Sequence, residues 1–189
     1  MKYAPIAIAL FTLTLSNCFA SDETAVRGQA AAAPERPGEM LMNGNFAKGT
    51  AYWVVEESGA TGKAVSNNEG PDKKPSLRLT VVTAGDKAWR LQLYHPGIKI
   101  EKGKAYELTF WARSDRTNSI TVNCMQNHEP WDHHTQLNLP VSTEWKQLRF
   151  PFVGPWTDEN ARISFTDLGT TPGQLYWFAD CSLTPALSH

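Results

Sequence analysis

Charge of one sign is what this chain most obviously lacks. Its 189 residues carry 18 Lys and Arg against 19 Asp and Glu, a formal charge of −1. Without a basic field there is little to attract a phosphate backbone or an anionic lipid surface, so nucleic acid is excluded as an expected partner. Long apolar runs are also missing. The longest, Ile6 to Leu15, falls well short of the roughly 20 residues a membrane span needs. Helical periodicity and internal repeats are absent, as are the HExxH, CxxC, Gly-x-Ser-x-Gly, phosphate-loop and dinucleotide patterns that would announce common enzyme classes. Cysteine is scarce, with three residues.

What is present is tryptophan. Seven indoles exceed what a single core of this size usually needs, which points some of them to the surface. A hydrophobic content of 41% suffices for a real core and excludes global disorder, and the length fits a single domain.

The chain opens like an export signal. Lys2 supplies a positive start before the apolar run, and Cys18 and Ala20 place small residues at −3 and −1 of a cut before Ser21. Residues 1–20 are therefore read as a signal peptide cleaved after Ala20, and the mature protein as secreted or periplasmic. A lipoprotein signal with lipidated Cys18 is the less favoured reading, because Asn17 stands where the processing enzyme prefers Gly, Ala or Ser. Residues 21–38, with the Ala30–Ala33 run, Pro34 and Pro37, read as a low-complexity spacer, and residues 39–186 as the folded module. Removing Cys18 leaves Cys124 and Cys181 in a compartment where disulfides persist. A bridge between them and two buried free thiols both fit their apolar phase.

From Met40 onward short alternating segments are separated by turn residues. Leu77, Leu79 and Val81 alternate with Arg78 and Thr80. Tyr106, Leu108, Phe110 and Ala112 alternate with Glu107, Thr109, Trp111 and Arg113. Further runs include Ile120/Val122/Cys124, Leu148/Phe150/Phe152, Ile163/Phe165 and Leu175 to Leu183. Turn chemistry falls at 67–71, 83–86, 102–104 and 171–173. The pattern predicts about nine or ten strands in an all-β, two-sheet antiparallel β-sandwich of jelly-roll type. From Trp89 on, Trp89, Leu91 and Leu93 take one face and Arg90, Gln92 and Tyr94 the other. That polar face suits either recognition or simple solvation.

Several segments in order resemble one family. Asn43-Gly44-Asn45-Phe46 with Gly49-Thr50 and Trp53, then Ser76-Leu77-Arg78-Leu79, then Trp89-Arg90-Leu91-Gln92-Leu93 with Gly97-Ile98, then Lys102 to Tyr106 and Phe110-Trp111-Ala112-Arg113 are similar to the CenC-type carbohydrate-binding modules of the family 4/9/22 group. Pro130-Trp131, Glu144-Trp145, Asn160 to Phe165 and Phe178 to Leu183 agree. The resemblance implies a galactose-binding-domain-like jelly roll holding a polysaccharide or oligosaccharide on the outer, concave face of one sheet. Its candidate binding residues are Arg90, Gln92, Tyr94, Trp111, Arg113, Asn123, Gln126 and Trp131. Trp53, Trp89, Trp145 and Trp177 are assigned to packing, and Trp156 to either a groove end or the core.

The family often carries a structural calcium. Ala47 and Ala179 replace the expected carboxylates, so no tightly bound calcium is expected, with Asp180 alone remaining nearby. The run His128 to His134 is rich in metal-ligating types. However, adjacent His133 and His134 would point to opposite sides of a strand, so no metal or other cofactor is assigned. Glu107, Glu129, Asp132 and Asp167 are candidate carboxyls, but nothing predicts that two of them face one another across a cleft. Tyr94 with Arg90 and Arg113 would permit a small jelly-roll lyase. The favoured reading is a monomeric, non-catalytic binding module of the kind joined to glycoside hydrolases. A small lyase or hydrolase and a partner-binding sandwich without glycan affinity are the alternatives.

Overall fold

The computed structural model describes residues 37–133 and 135–186. The expected signal peptide, all but the end of the spacer, and His134 lie outside them. Ten strands form: β1 (Val54–Glu57), β2 (Thr61–Asn67), β3 (Ser76–Thr83), β4 (Leu91–Ile100), β5 (Ala105–Ser114), β6 (Asn118–Gln126), β7 (Thr135–Val141), β8 (Lys146–Val153), β9 (Asp158–Thr166) and β10 (Leu175–Pro185). They make two five-stranded antiparallel sheets, β1-β4-β9-β6-β7 (sheet A) and β2-β3-β10-β5-β8 (sheet B). The expected two-sheet sandwich is therefore observed.

Period-two alternation builds the core because each inward side chain meets the facing sheet. On β5 the inward set Tyr106, Leu108, Phe110 and Ala112 is buried. Phe165 of β9 stacks on Phe178 of β10 at 4.5 Å between ring centroids, leans on Phe110 of β5 at 4.8 Å, and lies 6.0 Å from Trp53. One ring of sheet A is thereby wedged among side chains of sheet B. In β10 the phase shifts at a bulge between Ala179 and Ser182, so Tyr176 and Phe178 before it, and Cys181 and Leu183 after it, all enter the core.

The Asn-Gly-x-Phe segment closes one end of the sandwich. Asn43 is almost fully buried; its Nδ2 donates to the Gly49 and Ala51 carbonyls at 3.0 and 2.9 Å, and its Oδ1 accepts from Lys48 N at 2.9 Å. The Trp53 indole donates to the Asn43 carbonyl at 3.2 Å. Gly44 lies against the bulge, its carbonyl accepting from Cys181 N at 2.9 Å. A Cβ there would sit 1.9 Å from the Cys181 carbonyl oxygen, so only glycine fits. His95 fastens the same loop: its Nε2 accepts from Met42 N at 3.0 Å while Nδ1–H donates to the Pro96 carbonyl. Burial pushes its pKa down, in keeping with a neutral ring.

The bridge between Cys124 and Cys181 does not form. Both thiols are free and buried. Cys124 lies on β6 between Ile163 and Thr135 in sheet A. Cys181 lies on β10 in the facing sheet B. Burial pushes the Cys124 thiol up to about 12 and raises that of Cys181 as well, so neither supplies thiolate at neutral pH.

Two outcomes follow. Replacing Phe165 by Ala should lower stability by about 3–5 kcal/mol in urea denaturation. In alkylation followed by mass spectrometry, Cys124 and Cys181 should stay unmodified in the native protein and both react once denatured.

Candidate functional site

On the outer face of sheet A the strand register lines up two polar rows. One runs Glu56, Gln92, Thr166, Thr121 and Asn138, and the next runs Val54, Tyr94, Ser164, Asn123 and Gln136. Arg162 and Met125 follow as a neighbouring pair. Over these rows opens a cavity of about 820 Å³. Its floor is deep for an outward face. Gln92, Thr121, Asn123, Arg162, Ser164 and Thr166 are all buried, although their phase opposes the core.

Two tryptophans rise at opposite ends of the strands. Trp89 precedes β4, Trp131 lies in the loop after β6, and each is 46% exposed while lining the cavity. Trp89 corrects the packing assignment. Residues 88–90 form a 3₁₀ turn rather than the start of a strand, so alternation does not reach them and the indole leaves the phase of Leu91 and Leu93. The same turn removes Arg90 from the expected polar face. Its Nε donates to Asp86 at 2.7 Å and its Nη1 to the Ser58 carbonyl at 2.9 Å. Its guanidinium lies 4.8 Å from the Trp89 ring centroid, so Arg90 braces that indole without lining the cavity itself.

Arg162 organises the floor. Its Nη1 donates to Glu56 Oε2 at 2.8 Å, and its guanidinium lies 4.3 Å from the Tyr94 ring and 5.7 Å from that of Trp131. With the arginine side chain 4% exposed and that of Glu56 33%, removing Glu56 would strand the guanidinium charge in a shielded place. Ser164 donates to Gln92 Oε1 at 2.8 Å, which leaves the Gln92 amide hydrogens without a protein acceptor among the described residues. Asn123 Oδ1, Thr166 Oγ1 and Arg162 Nε are buried without a hydrogen-bond partner among the described residues. Orphaned polar groups beneath a cavity call for a partner that the described residues do not supply. Asp167 accepts from Thr121 Oγ1, which in turn accepts from Asn138 Nδ2 at 3.2 Å.

Of the eight binding residues expected, Gln92, Tyr94, Asn123 and Trp131 meet around this cavity. The other four do not. Trp111 and Arg113 point outward as their alternation requires, but from β5 in sheet B. Gln126 shares the inward phase of Cys124 and pairs with core residue Ala161 at the strand end, while Asn127 lines the cavity instead. Arg90 is held aside as described. Sequence reasoning missed Glu56, Trp89 and Arg162. For Arg162 the signal was available, since Ile163 and Phe165 facing inward send Arg162 and Ser164 outward. Glu56 lies on a four-residue edge strand with no alternation to read.

The remaining candidates fall elsewhere. Glu107 pairs with Arg149 on sheet B. Trp53 is in the core, Trp156 packs against it, and Trp177 and Trp145 lie outside the core on sheet B around Arg113. No group of three or more His, Cys, Asp or Glu that could hold a metal ion occurs among the described residues.

The loop carrying Trp131 is latched by a histidine. Trp131 N donates to the His128 carbonyl at 2.8 Å. His128 Nδ1 contacts the Glu129 carbonyl at 2.7 Å and Nε2 contacts Asp158 Oδ2 at 2.9 Å. Both partners are acceptors, so the ring meets both only as imidazolium. The Glu129 carbonyl and then the Asp158 carboxylate hold its pKa above the usual 6.5. The stabilisation is therefore complete below pH 6.5 and is lost as pH rises through the raised value in the folded state. In denaturation measured across pH, the stability gap between wild type and His128→Gln should be widest below pH 6.5 and close on the alkaline side.

The chain has relatives among known proteins. The family model described as a carbohydrate binding domain matches residues 38–169. A curated cellulose 1,4-beta-cellobiosidase of Acetivibrio thermocellus is 28% identical over 137 residues, covering 70% of this chain, and the match spans only 15% of that enzyme's length. A solved CBM4 structure superposes with a TM-score of 0.67 at 23% identity, over 77% of this chain and 99% of the other. The N-terminal cellulose-binding domain of Cellulomonas fimi beta-1,4-glucanase C does so with a TM-score of 0.59 at 16% identity, over 84% and 100%. An all-β sandwich matched by the family model over most of its length is a member of that family: the chain belongs to the carbohydrate binding domains of the CBM4/9 group.

Proposed function

We propose that the protein is an exported, non-catalytic module that binds a polysaccharide chain in the cavity of sheet A, lying across the strands between Trp89 and Trp131. The observation that carries this reading is the pair of exposed indoles at opposite margins of a buried polar floor. Indole faces pack on the C–H faces of pyranose rings, and planar amides and guanidinium groups hydrogen-bond vicinal hydroxyls. Gln92, Asn123 and Arg162 supply those groups, and Tyr94, stacked under Arg162, fixes its plane. The matching phase of four expected residues, and the relatedness to a cellobiosidase and to a cellulose-binding domain, support a plant-type β-glycan as the ligand class.

The carboxylates bear on catalysis. Glu56 accepts from Arg162, and Asp167 accepts from Thr121. Both carboxylates are thus engaged in holding the floor of the cavity together. Export rests on the positive start, short apolar run and small residues before Ser21. Among the described residues no helix is long and apolar enough to cross a membrane. A monomer binding its glycan without a cofactor completes the reading.

Affinity electrophoresis through gels containing xylan, mixed-linkage β-glucan or hydroxyethylcellulose tests it. Wild type should be retarded on at least one glycan, and Trp131→Ala or Trp89→Ala should weaken retention about tenfold or more. Normal mobility on every glycan, or release of new reducing ends, would overturn it.

A further inference from the structure

Trp111 and Arg113, outward on sheet B rather than on the face the resemblance implied, lead to a second cavity. Arg113 itself is occupied. Its guanidinium lies 3.9 Å from the Trp177 ring and 5.4 Å from that of Trp145. Glu69, reaching in from the β2–β3 connection, accepts from both indoles and sits beside Arg113 and Arg78. This cluster pins residues 68–75 onto sheet B and leaves little for a ligand.

Trp111 is different. Its neighbour across the β10 ladder is Ala179, too small to cover an indole, and the space beside it is a cavity of about 370 Å³ bordered by the pinned connection. The half-buried indole makes no hydrogen bond among the described residues. Asp72 and Lys74 line the same cavity; both are exposed, and their side chains make no hydrogen bond or ion pair among the described residues. Two of the lining residues, Asp72 and Asp180, adopt left-handed φ, at 56° and 46°. An aromatic platform, a carboxylate acceptor and an ammonium donor are together what a neutral sugar ring needs.

We propose that this cavity is a second, independent sugar site, taking the terminal one or two rings of a neutral oligosaccharide on Trp111, with Asp72 and Lys74 on its hydroxyls. The proposal rests on the reading of the chain as a glycan-binding module. Its volume, less than half that of the first cavity, suits a chain end and not a chain in passage. Two sites on opposite sheets would let one module bridge two glycan chains, raising retention on polymeric glycan without tighter binding of short sugars.

The seven indole N–H resonances of the ¹⁵N-labelled protein, assigned by single Trp→Phe variants, separate the two sites. Cellobiose, xylobiose and laminaribiose are titrated into the millimolar range. The Trp111 signal should shift with at least one disaccharide and still shift in Trp131→Ala. Asp72→Ala and Lys74→Ala, both on an exposed turn, should each weaken the Trp111 response severalfold and leave that of Trp131 unchanged. A Trp111 signal that stays still for all three sugars overturns the second site, whatever Trp131 does. Loss of the Trp111 shift in Trp131→Ala also overturns it, because the perturbation then originates in sheet A. Movement of Trp111 with Trp89 and Trp131 silent would sustain this site and count against the groove in sheet A.

Discussion

Phe165 is the contact on which the rest of the molecule depends. It belongs to the central strand of sheet A, yet its ring is packed on Phe178 and Phe110 of sheet B and on Trp53 of the closing loop. A side chain so placed sets the phase of β9, because a strand cannot slip by one residue without exchanging its two faces. With Phe165 inward, Arg162, Ser164 and Thr166 must face outward. The register with β4 and β6 then brings Gln92, Tyr94, Thr121 and Asn123 beside them. The polar floor of the cavity is thus the complement of the core.

The two outer faces make different use of the same geometry. On sheet A the flanking segments stand up at the strand ends, with Trp89 and Trp131 as margins, and the floor between them remains open. On sheet B the β2–β3 connection folds down over the strands, and Trp145, Trp177, Arg113 and Glu69 close much of the face. Cation–π contacts occur on both. On sheet B they hold a connection in place, whereas on sheet A Arg162 joins Tyr94, Trp131 and Glu56 beneath the open space. The surplus of tryptophan noticed in the composition is therefore divided among a core, a clamp and two cavities.

How much of this was legible depends on how deeply each strand is buried. β3, β5, β6 and β9, buried on at least one face, show their alternation plainly. β1, β2 and β7 were not resolved as strands in the sequence, and all three are edge strands with mixed exposure. Their mixed exposure weakens the hydrophobic pattern, whereas β8, also at an edge, keeps one face in the core and alternates plainly. Trp89 and Arg90 failed for another reason. A continuous apolar phase across Trp89, Leu91 and Leu93 looks like a strand, but Arg90 fits against Gly59 and Gly85, where a Cβ would lie 3.1 and 2.8 Å from its side chain. That packing accompanies the 3₁₀ bend, and the part of it that involves Gly59 cannot be read from neighbouring residues.

The sequence by itself determined the fold class, the inward set and the polar character of the outward set, because alternation is a local property written in neighbouring residues. It also carried the family resemblance, through motifs such as Asn43-Gly44-Asn45-Phe46 whose hydrogen bonds are largely short-range. Only the tertiary structure decided which outward residues share a face. Strand order and sheet membership are set by pairings between residues far apart in the chain, so Trp111 and Arg113, correctly outward, came to lie on the opposite side from Gln92, Tyr94 and Asn123. Glu56 and Arg162, 106 positions apart, became partners for the same reason.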